Sequence, residues 1–215
     1  MKILSVLALL LLLCSSCVTG NMPLREGVKS IDLEKGSIAL FSIKTSKTFK
    51  QEYRAVATRV RVTGVDFSKD YMIPEGQGDW TGGDLEFFCS AQLKPGIYKI
   101  KSIRGIGGDL DGPWYGTFNC LVWAHFEVLP NEIVYVGRVV ARCRGRRDGE
   151  PRAGSRFPLI NQGISGFAAG TWDLEAIDNS AFDLKDFTDR YPLLSEFKIA
   201  KRIMTLQGKE AVVPR

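Results

Sequence analysis

The feature that most constrains the fold of this 215-residue chain is an alternation of apolar and polar side chains with a period of two. In RAVATRVRVTGV, Val56, Val60 and Val62 fall on one face of an extended chain, and Arg59 and Arg61 fall on the other. This pattern is typical of a strand with one buried face and one face in water. Similar runs recur at residues 37–49, 84–93, 97–103, 118–128 and 133–141. Several such runs separated by turns predict an antiparallel β-sandwich.

Two proline-containing turns predict how consecutive strands are joined. Lys94-Pro95-Gly96 separates two alternating runs. Proline presets the first dihedral of a turn and glycine accepts a positive φ, so we expect a tight hairpin here. Pro130-Asn131 links the runs 118–128 and 133–141 and predicts a second strand pair.

Near the C-terminus the pattern changes to a helical spacing. GTWDLEAI, around Trp172, predicts one more strand, and after it Phe182, Phe187 and Tyr191 recur at helix-compatible intervals. Pro192 is expected to end that helix. A second helix is predicted from the spacing of Leu194, Phe197, Ile199 and Ile203. The predicted fold is mainly β: an antiparallel β-sandwich over residues 37–178, with short C-terminal helices packed on it over residues 179–206.

The N-terminus has the composition of an export signal. Lys2 provides a positive charge, and an apolar run with a single serine extends from residue 3 to residue 13. A secretory signal has an apolar run of roughly 7–15 residues. Spanning a bilayer takes about 20, so this run predicts cleavage rather than a membrane-spanning helix.

The sequence CSSC after this run resembles the processing site of bacterial lipoproteins. That site requires a small residue before the modified cysteine, and Ser16 precedes Cys17, whereas Leu13 precedes Cys14. The resemblance implies a signal peptide over 1–16 and a lipid on Cys17. The segments outside the predicted strands and helices are expected to be a tether over 17–36 and a tail over 207–215. The resemblance places the chain in the bacterial cell envelope, attached to the membrane by its N-terminal lipid, and Val18 favours the outer membrane of a Gram-negative cell. The alternative is a secreted protein cut near Ser16, with Cys17 a free thiol.

Two further stretches resemble known domains. LKPGIYKI, residues 93–100, is similar to a turn of bacterial β-sandwich domains of the prealbumin-like kind. FEVLPNEIVYVGRV, residues 126–139, resembles the later strand pair of small bacterial lipoproteins. These residues are structural, so the resemblance implies a fold and carries no function.

Charge and cysteine content restrict the function classes. The formal net charge of +5 is a modest basic excess, which does not argue for a nucleic-acid partner. Three cysteines follow Cys17, namely Cys89, Cys120 and Cys143. Outside the inner membrane a disulfide is feasible. Cys89 and Cys120 both fall on apolar strand faces, so either they form the bridge or they are unpaired core thiols.

Arginines are concentrated in RVVARCRGRRDGEPRAGSRF, with Arg142, Arg144, Arg146 and Arg147 at its centre. Guanidinium groups pair bidentately with carboxylates and phosphates. This stretch is therefore a candidate contact for an envelope protein or an anionic envelope component. The alternative is a solvated loop, which its glycine and proline content also favours.

Aromatic residues next to glycine-rich turns are a second candidate site. Trp80, Trp114 and Tyr115 could stack on sugars if they were exposed. Buried rings would instead close the ends of the sandwich.

The sequence predicts no catalytic residue, cofactor or metal site. His125 is the only histidine, and the chain lacks the G-x-S-x-G, H-E-x-x-H and P-loop motifs. The leading hypothesis is a lipid-anchored, non-enzymatic binding or scaffolding module. The alternatives are a glycan- or peptidoglycan-binding module and a hydrolase with an unrecognised site near His125.

Overall fold

The computed structural model of the protein describes residues 19–74, 79–81, 84–108 and 115–207. They form two packed β-sheets with two α-helices and one 3₁₀-helix, which confirms the predicted mainly β sandwich with short helices. In chain order the elements are β1 (Thr19–Asn21), β2 (Ser37–Lys47), β3 (Val56–Thr63), β4 (Ser68–Met72), β5 (Asp79–Thr81), β6 (Asp84–Leu93), β7 (Gly96–Gly108), β8 (Tyr115–Val128), β9 (Ile133–Gly145), α1 (Leu159–Ile164), β10 (Gly170–Ile177), α2 (Ser180–Arg190), the 3₁₀-helix (Pro192–Glu196), β11 (Ile199–Lys201) and β12 (Thr205–Leu206).

The strands divide between two sheets. The first sheet has the order β1-β4-β3-β7-β8-β12, and the second has the order β10-β9-β2-β6-β5, with β11 also paired to β9. Most neighbours are antiparallel, as predicted. Three pairs, β1 with β4, β2 with β9 and β11 with β9, are parallel.

Both proline turns were predicted as hairpins or strand pairs, and this prediction is wrong. The turn at Pro95 joins β6 of the second sheet to β7 of the first, and the turn at Pro130 joins β8 of the first sheet to β9 of the second. The alternation specifies which face of a strand is buried. A hairpin within one sheet and a connection between the two sheets both bury that face, so the alternation does not specify the partner strand. The long antiparallel pair is instead β7 with β8.

The buried face of β3 is as predicted at Val60 and Val62 but not at Val56, since the register shifts between Ala57 and Arg59 and Ala57 is buried instead. Val60 and Val62 of β3 are buried while Arg59 is exposed, and β8 alternates buried and accessible side chains along its whole length. These inner faces make the main core between the sheets. The outer face of the second sheet carries a second cluster, in which Phe187 of α2 and Leu194 of the 3₁₀-helix cover Leu40, Phe88 and Tyr135.

The predicted tether over 17–36 is partly built into the fold. Its residues Thr19–Asn21 form β1, and Met22 and Leu24 are buried. The Leu24 N–H donates to Ser90 Oγ at 3.1 Å, which fixes this segment against the second sheet.

The C-terminal segment agrees with prediction only in its first half. The helix around Phe187 is present as α2, whereas the second predicted helix is replaced by the 3₁₀-helix and the strands β11 and β12. Ile199 instead pairs with Ile133 at a free part of the β9 edge, because this pairing satisfies backbone groups of both strands. Among the described residues no helix is both long and apolar enough to cross a bilayer.

Candidate functional site: an arginine loop with an apolar tip

The four arginines predicted as a contact surface lie at the end of β9 and in the loop that follows. Arg142 pairs with Glu175 of β10 at 2.8 Å. Arg144 donates to both carboxylate oxygens of Glu150, at 2.8 and 2.7 Å, and to Asp173 of β10 at 2.9 Å. The structure therefore gives two of the four guanidinium groups, those of Arg142 and Arg144, carboxylate partners within the chain.

Glu150 organises the loop from 145 to 158, which we call the arginine loop. Its carboxylate accepts from the Arg147 backbone N–H at 2.7 Å, and its carbonyl accepts from Arg146 at 2.9 Å. The hydrogen bonds from Arg144 and the Arg147 N–H lower the pKa of Glu150 to about 2. The hydrogen bonds of Glu150 thus hold the loop and the guanidinium groups of Arg144 and Arg146 in place.

Among the described residues, two guanidinium groups without a carboxylate partner, those of Arg152 and Arg156, lie farther along the chain than predicted. The Arg146 guanidinium holds the pKa of Arg152 below its usual value, and burial and Arg156 act in the same direction. Arg152 donates to the Ala168 carbonyl, so these arginines add positive charge to the loop without a carboxylate partner among the described residues. The sequence contains this signal in RAGSRF, but the predicted contact set stopped at Arg147.

Three large apolar side chains follow these arginines and remain in water. Phe157 is 75 % exposed, Leu159 is 68 % exposed and Ile160 is 61 % exposed. We call them the apolar tip. Single exposed apolar residues are ordinary on protein surfaces, but adjacent ones rimmed by charge mark interaction sites.

The apolar tip sits on a firmly held support. Gln162 of α1 is fully buried and its Nε2 donates to Thr117 of β8 at 2.9 Å. Lys50 Nζ donates to the carbonyls of Gly163 at 2.5 Å and Ile164 at 3.1 Å. These bonds fix the helix against the sandwich while Leu159 and Ile160 point away from it.

The arginine loop is attached to both sheets by backbone bonds. Ala153 N donates to the Gly170 carbonyl at 2.8 Å, and Asn119 N donates to the Ala153 carbonyl at 2.9 Å. Gly154 bridges to Phe118, and a Cβ at Gly154 would lie 2.3 Å from the Thr117 carbonyl oxygen. Only glycine allows this close approach of the loop to β8.

The predicted aromatic site is described only in part. The backbone of Trp80 is in β5, Trp114 lies outside the described residues, and Tyr115 is 46 % exposed at the start of β8. The glycan-binding alternative therefore stays a prediction.

His125 lies on the outer face of the first sheet and is half-buried. Its partners in register are Lys99 of β7 and Thr205 of β12. The described part of the chain contains no group of three His, Cys, Asp or Glu residues that could hold a metal. The hydrolase alternative stays a prediction.

Cys89, Cys120 and Cys143 are free, buried thiols. Cys89 and Cys120 are therefore unpaired core thiols in this structure and do not form the disulfide that was the other prediction. Cys89 lies in the second sheet and Cys120 in the first. Burial raises the pKa of all three thiols, and that of Cys143 reaches about 11. Thiols with raised pKa values are poor nucleophiles, which is typical of core cysteines.

A buried lysine at the end of β2 was not predicted. Lys47 is 9 % exposed, its Nζ donates to the Ser165 carbonyl at 2.5 Å and lies 4.6 Å from the centre of the Phe167 ring. Burial lowers its pKa to about 8. It supports the segment behind α1 rather than facing the apolar tip.

A buried polar network joins α2 to the second sheet. Asp183 accepts from Arg138, from Tyr135 at 2.6 Å and from Ser42 at 2.5 Å. Arg138 also forms two bonds with Glu86, at 2.9 and 2.8 Å. Asp183, Ser42 and Tyr135 are fully buried, so the network has the geometry of a structural clamp rather than of an open site.

Comparison of the chain with protein-family models, with curated proteins and with solved structures gave no match. The fold and the site define a two-sheet β-sandwich that presents an apolar tip beside a cluster of arginines. The resemblance to prealbumin-like domains stays a prediction.

Proposed function

We propose that this chain is a lipid-anchored module of the bacterial cell envelope that acts without catalysis, by binding another envelope protein through the apolar tip and the arginine loop. The observation that supports it best is the exposure of Phe157, Leu159 and Ile160, which directly follow the arginine loop in the chain.

The composition of this surface favours a protein partner. Aromatic residues and arginine are enriched where protein interfaces have their largest energetic contributions. An apolar centre would fill a pocket of the partner, and the arginines would pair with acidic side chains at its rim. Such rim charges mainly set the rate and specificity of association.

The position of the tip relative to the anchor supports the same conclusion. When the paired residues are followed across the first sheet, Thr19 of β1 aligns with Leu121 of β8. Thr117, which accepts a hydrogen bond from α1, lies four residues from Leu121 on β8. Four strand spacings separate β8 from β1. At about 3.3 Å per residue and about 4.8 Å per strand, Thr19 and Thr117 lie roughly 20–25 Å apart. Two residues of chain span at most about 7 Å, so a lipid on Cys17 would hold the Thr19 edge of the sheet at the bilayer. The tip would be presented at the opposite edge.

Copurification from envelope extracts tests the binding role. The lipidated chain is compared with a variant in which Phe157, Leu159 and Ile160 are changed to serine. The expected result is a defined envelope protein that copurifies with the wild type, is lost from the variant, and is lost progressively as salt screens the arginines. The matched control places serine at three other exposed apolar positions, Val65, Ile97 and Leu121, and should retain the partner.

Two outcomes would contradict this proposal. One is a partner that binds the tip variant as well as the wild type. The other is tip-dependent binding of the unlipidated Cys17→Ser chain to vesicles, which would make the tip a membrane-inserting element. The anchor is tested separately: Cys17→Ala should release the protein into the soluble fraction, whereas Cys14→Ala should leave it with membranes.

A further inference from the structure

The outer face of the first sheet places two arginines side by side. Arg59 of β3 and Arg104 of β7 are direct partners in the register, and Arg104 is in turn opposite Asn119 of β8. Like charges opposite one another across a strand pair are destabilising. An anion between the two side chains would stabilise this arrangement.

The nearby carboxylate does not neutralise this pair. Asp70 receives two hydrogen bonds of 2.6 Å from Arg61, one to each oxygen, while the closest Arg104 nitrogen is 3.9 Å away. A single carboxylate therefore faces three guanidinium groups and is engaged mainly by Arg61. The charge of Arg59 and Arg104 remains largely uncompensated by this residue.

The same two arginines line a groove of about 360 Å³. Its walls include hydroxyl and amide groups from Thr58, Thr117, Asn119 and Ser155, and Ile106 adds an apolar wall. Arg59 is exposed and Arg104 is 40 % exposed, so a ligand can reach both from solvent.

We propose that this groove binds the phosphate group of a phosphate ester. One arginine fork satisfies both oxygens of a carboxylate, whereas two forks from adjacent strands match the larger number of oxygens on a phosphate. The groove volume exceeds that of a bare phosphate and leaves room for an esterified alcohol beside Ile106. Two sources have this chemistry: a soluble phosphate ester and the headgroup of a phospholipid. The inference does not depend on the partner-binding role of the apolar tip.

The test uses the mature chain with Cys17→Ser, so that no acyl group contributes to vesicle binding. Glycerol 1-phosphate is titrated and followed by calorimetry, and sedimentation is measured with phosphatidylcholine vesicles with and without phosphatidylglycerol. Saturable binding of glycerol phosphate is expected, weakened about tenfold or more by Arg59→Gln or by Arg104→Gln, because each removes a charge-assisted contact. Binding to the phosphatidylglycerol vesicles alone, with the same dependence on the two arginines, would assign the lipid headgroup as the ligand.

The control is Arg25→Gln, which removes an exposed arginine of the N-terminal segment and should bind like the wild type. Both groove variants should unfold at or slightly above the wild-type temperature, since they relieve a like-charge pair. The proposal is overturned if neither probe binds saturably, or if the groove variants and Arg25→Gln bind the probes equally.

Discussion

Asp183 of α2 and Arg138 of β9 form an ion pair in which the carboxylate is fully buried and the arginine side chain is 7 % exposed. Gly137 brings Arg138 to this position, because its φ of +106° accommodates a bulge in β9 between the residues paired with Leu40 and Ser42. The bulge shifts Arg138 to the outer face of the second sheet, next to Ser42. The pair therefore fastens the C-terminal helix to the sandwich.

Asp183→Ala should strongly destabilise the protein, because it leaves a buried guanidinium with Glu86 as its remaining carboxylate partner. Breaking a buried pair from one side costs about 3–5 kcal/mol. Urea unfolding measures the loss, and Asp189→Ala on the exposed side of α2 provides the control, with little change expected. A loss as small as that of the control would show that the ion pair does not hold the helix.

The cysteine assignment predicts a thiol count. In the native protein the three buried thiols should react slowly with a thiol reagent, and in denaturant without reductant all three should react. A lipid on Cys17 would block the thiol of this fourth cysteine. A count of one would instead indicate a disulfide among the three.

Lys47 predicts a specific pH dependence of stability. Its pKa falls from 10.5 to about 8 on folding, so between these values the unfolded chain binds more protons. The free energy of unfolding should therefore gain a contribution that rises with pH from about 8 to 10.5. The buried thiols act in the opposite direction above pH 9, since folding raises their pKa values.

The comparison of wild type with Lys47→Met removes the contributions of Cys89 and Cys120, which both proteins share, and leaves that of Lys47 with its charge interaction with Cys143. The variant should gain stability relative to the wild type at pH 7, and this advantage should shrink toward pH 10.5. An advantage that does not change with pH would contradict a depressed pKa at Lys47.

The sequence alone predicted most of the buried strand faces and did not predict which strands pair. The alternation around Val60 and Val62 predicts the buried side of β3 because side chains alternate in any strand. At the Pro95 turn the chain passes from the second sheet to the first. Whether it does so, or forms a hairpin within one sheet, depends on which strands pair with β6. Those neighbours are β2 and β5, and neither is encoded near the turn.

The candidate site shows the same division. The arginines are visible as a cluster, but the carboxylates that pair with Arg142 and Arg144 come from β10, whose register with β9 a local pattern does not specify. The apolar tip was also hidden, since Phe157 and Leu159 look in sequence like any other core residues. Only their exposure in the folded structure distinguishes them from core residues.

We propose that a lipid on Cys17 holds this sandwich in the cell envelope. Mass spectrometry of the N-terminal peptide, from protein purified out of its native membranes, tests it most directly. The expected peptide begins at Cys17 and carries a diacylglyceryl group on the sulfur and a fatty acid on the nitrogen. A peptide that contains Cys17 without any fatty acid would contradict the claim.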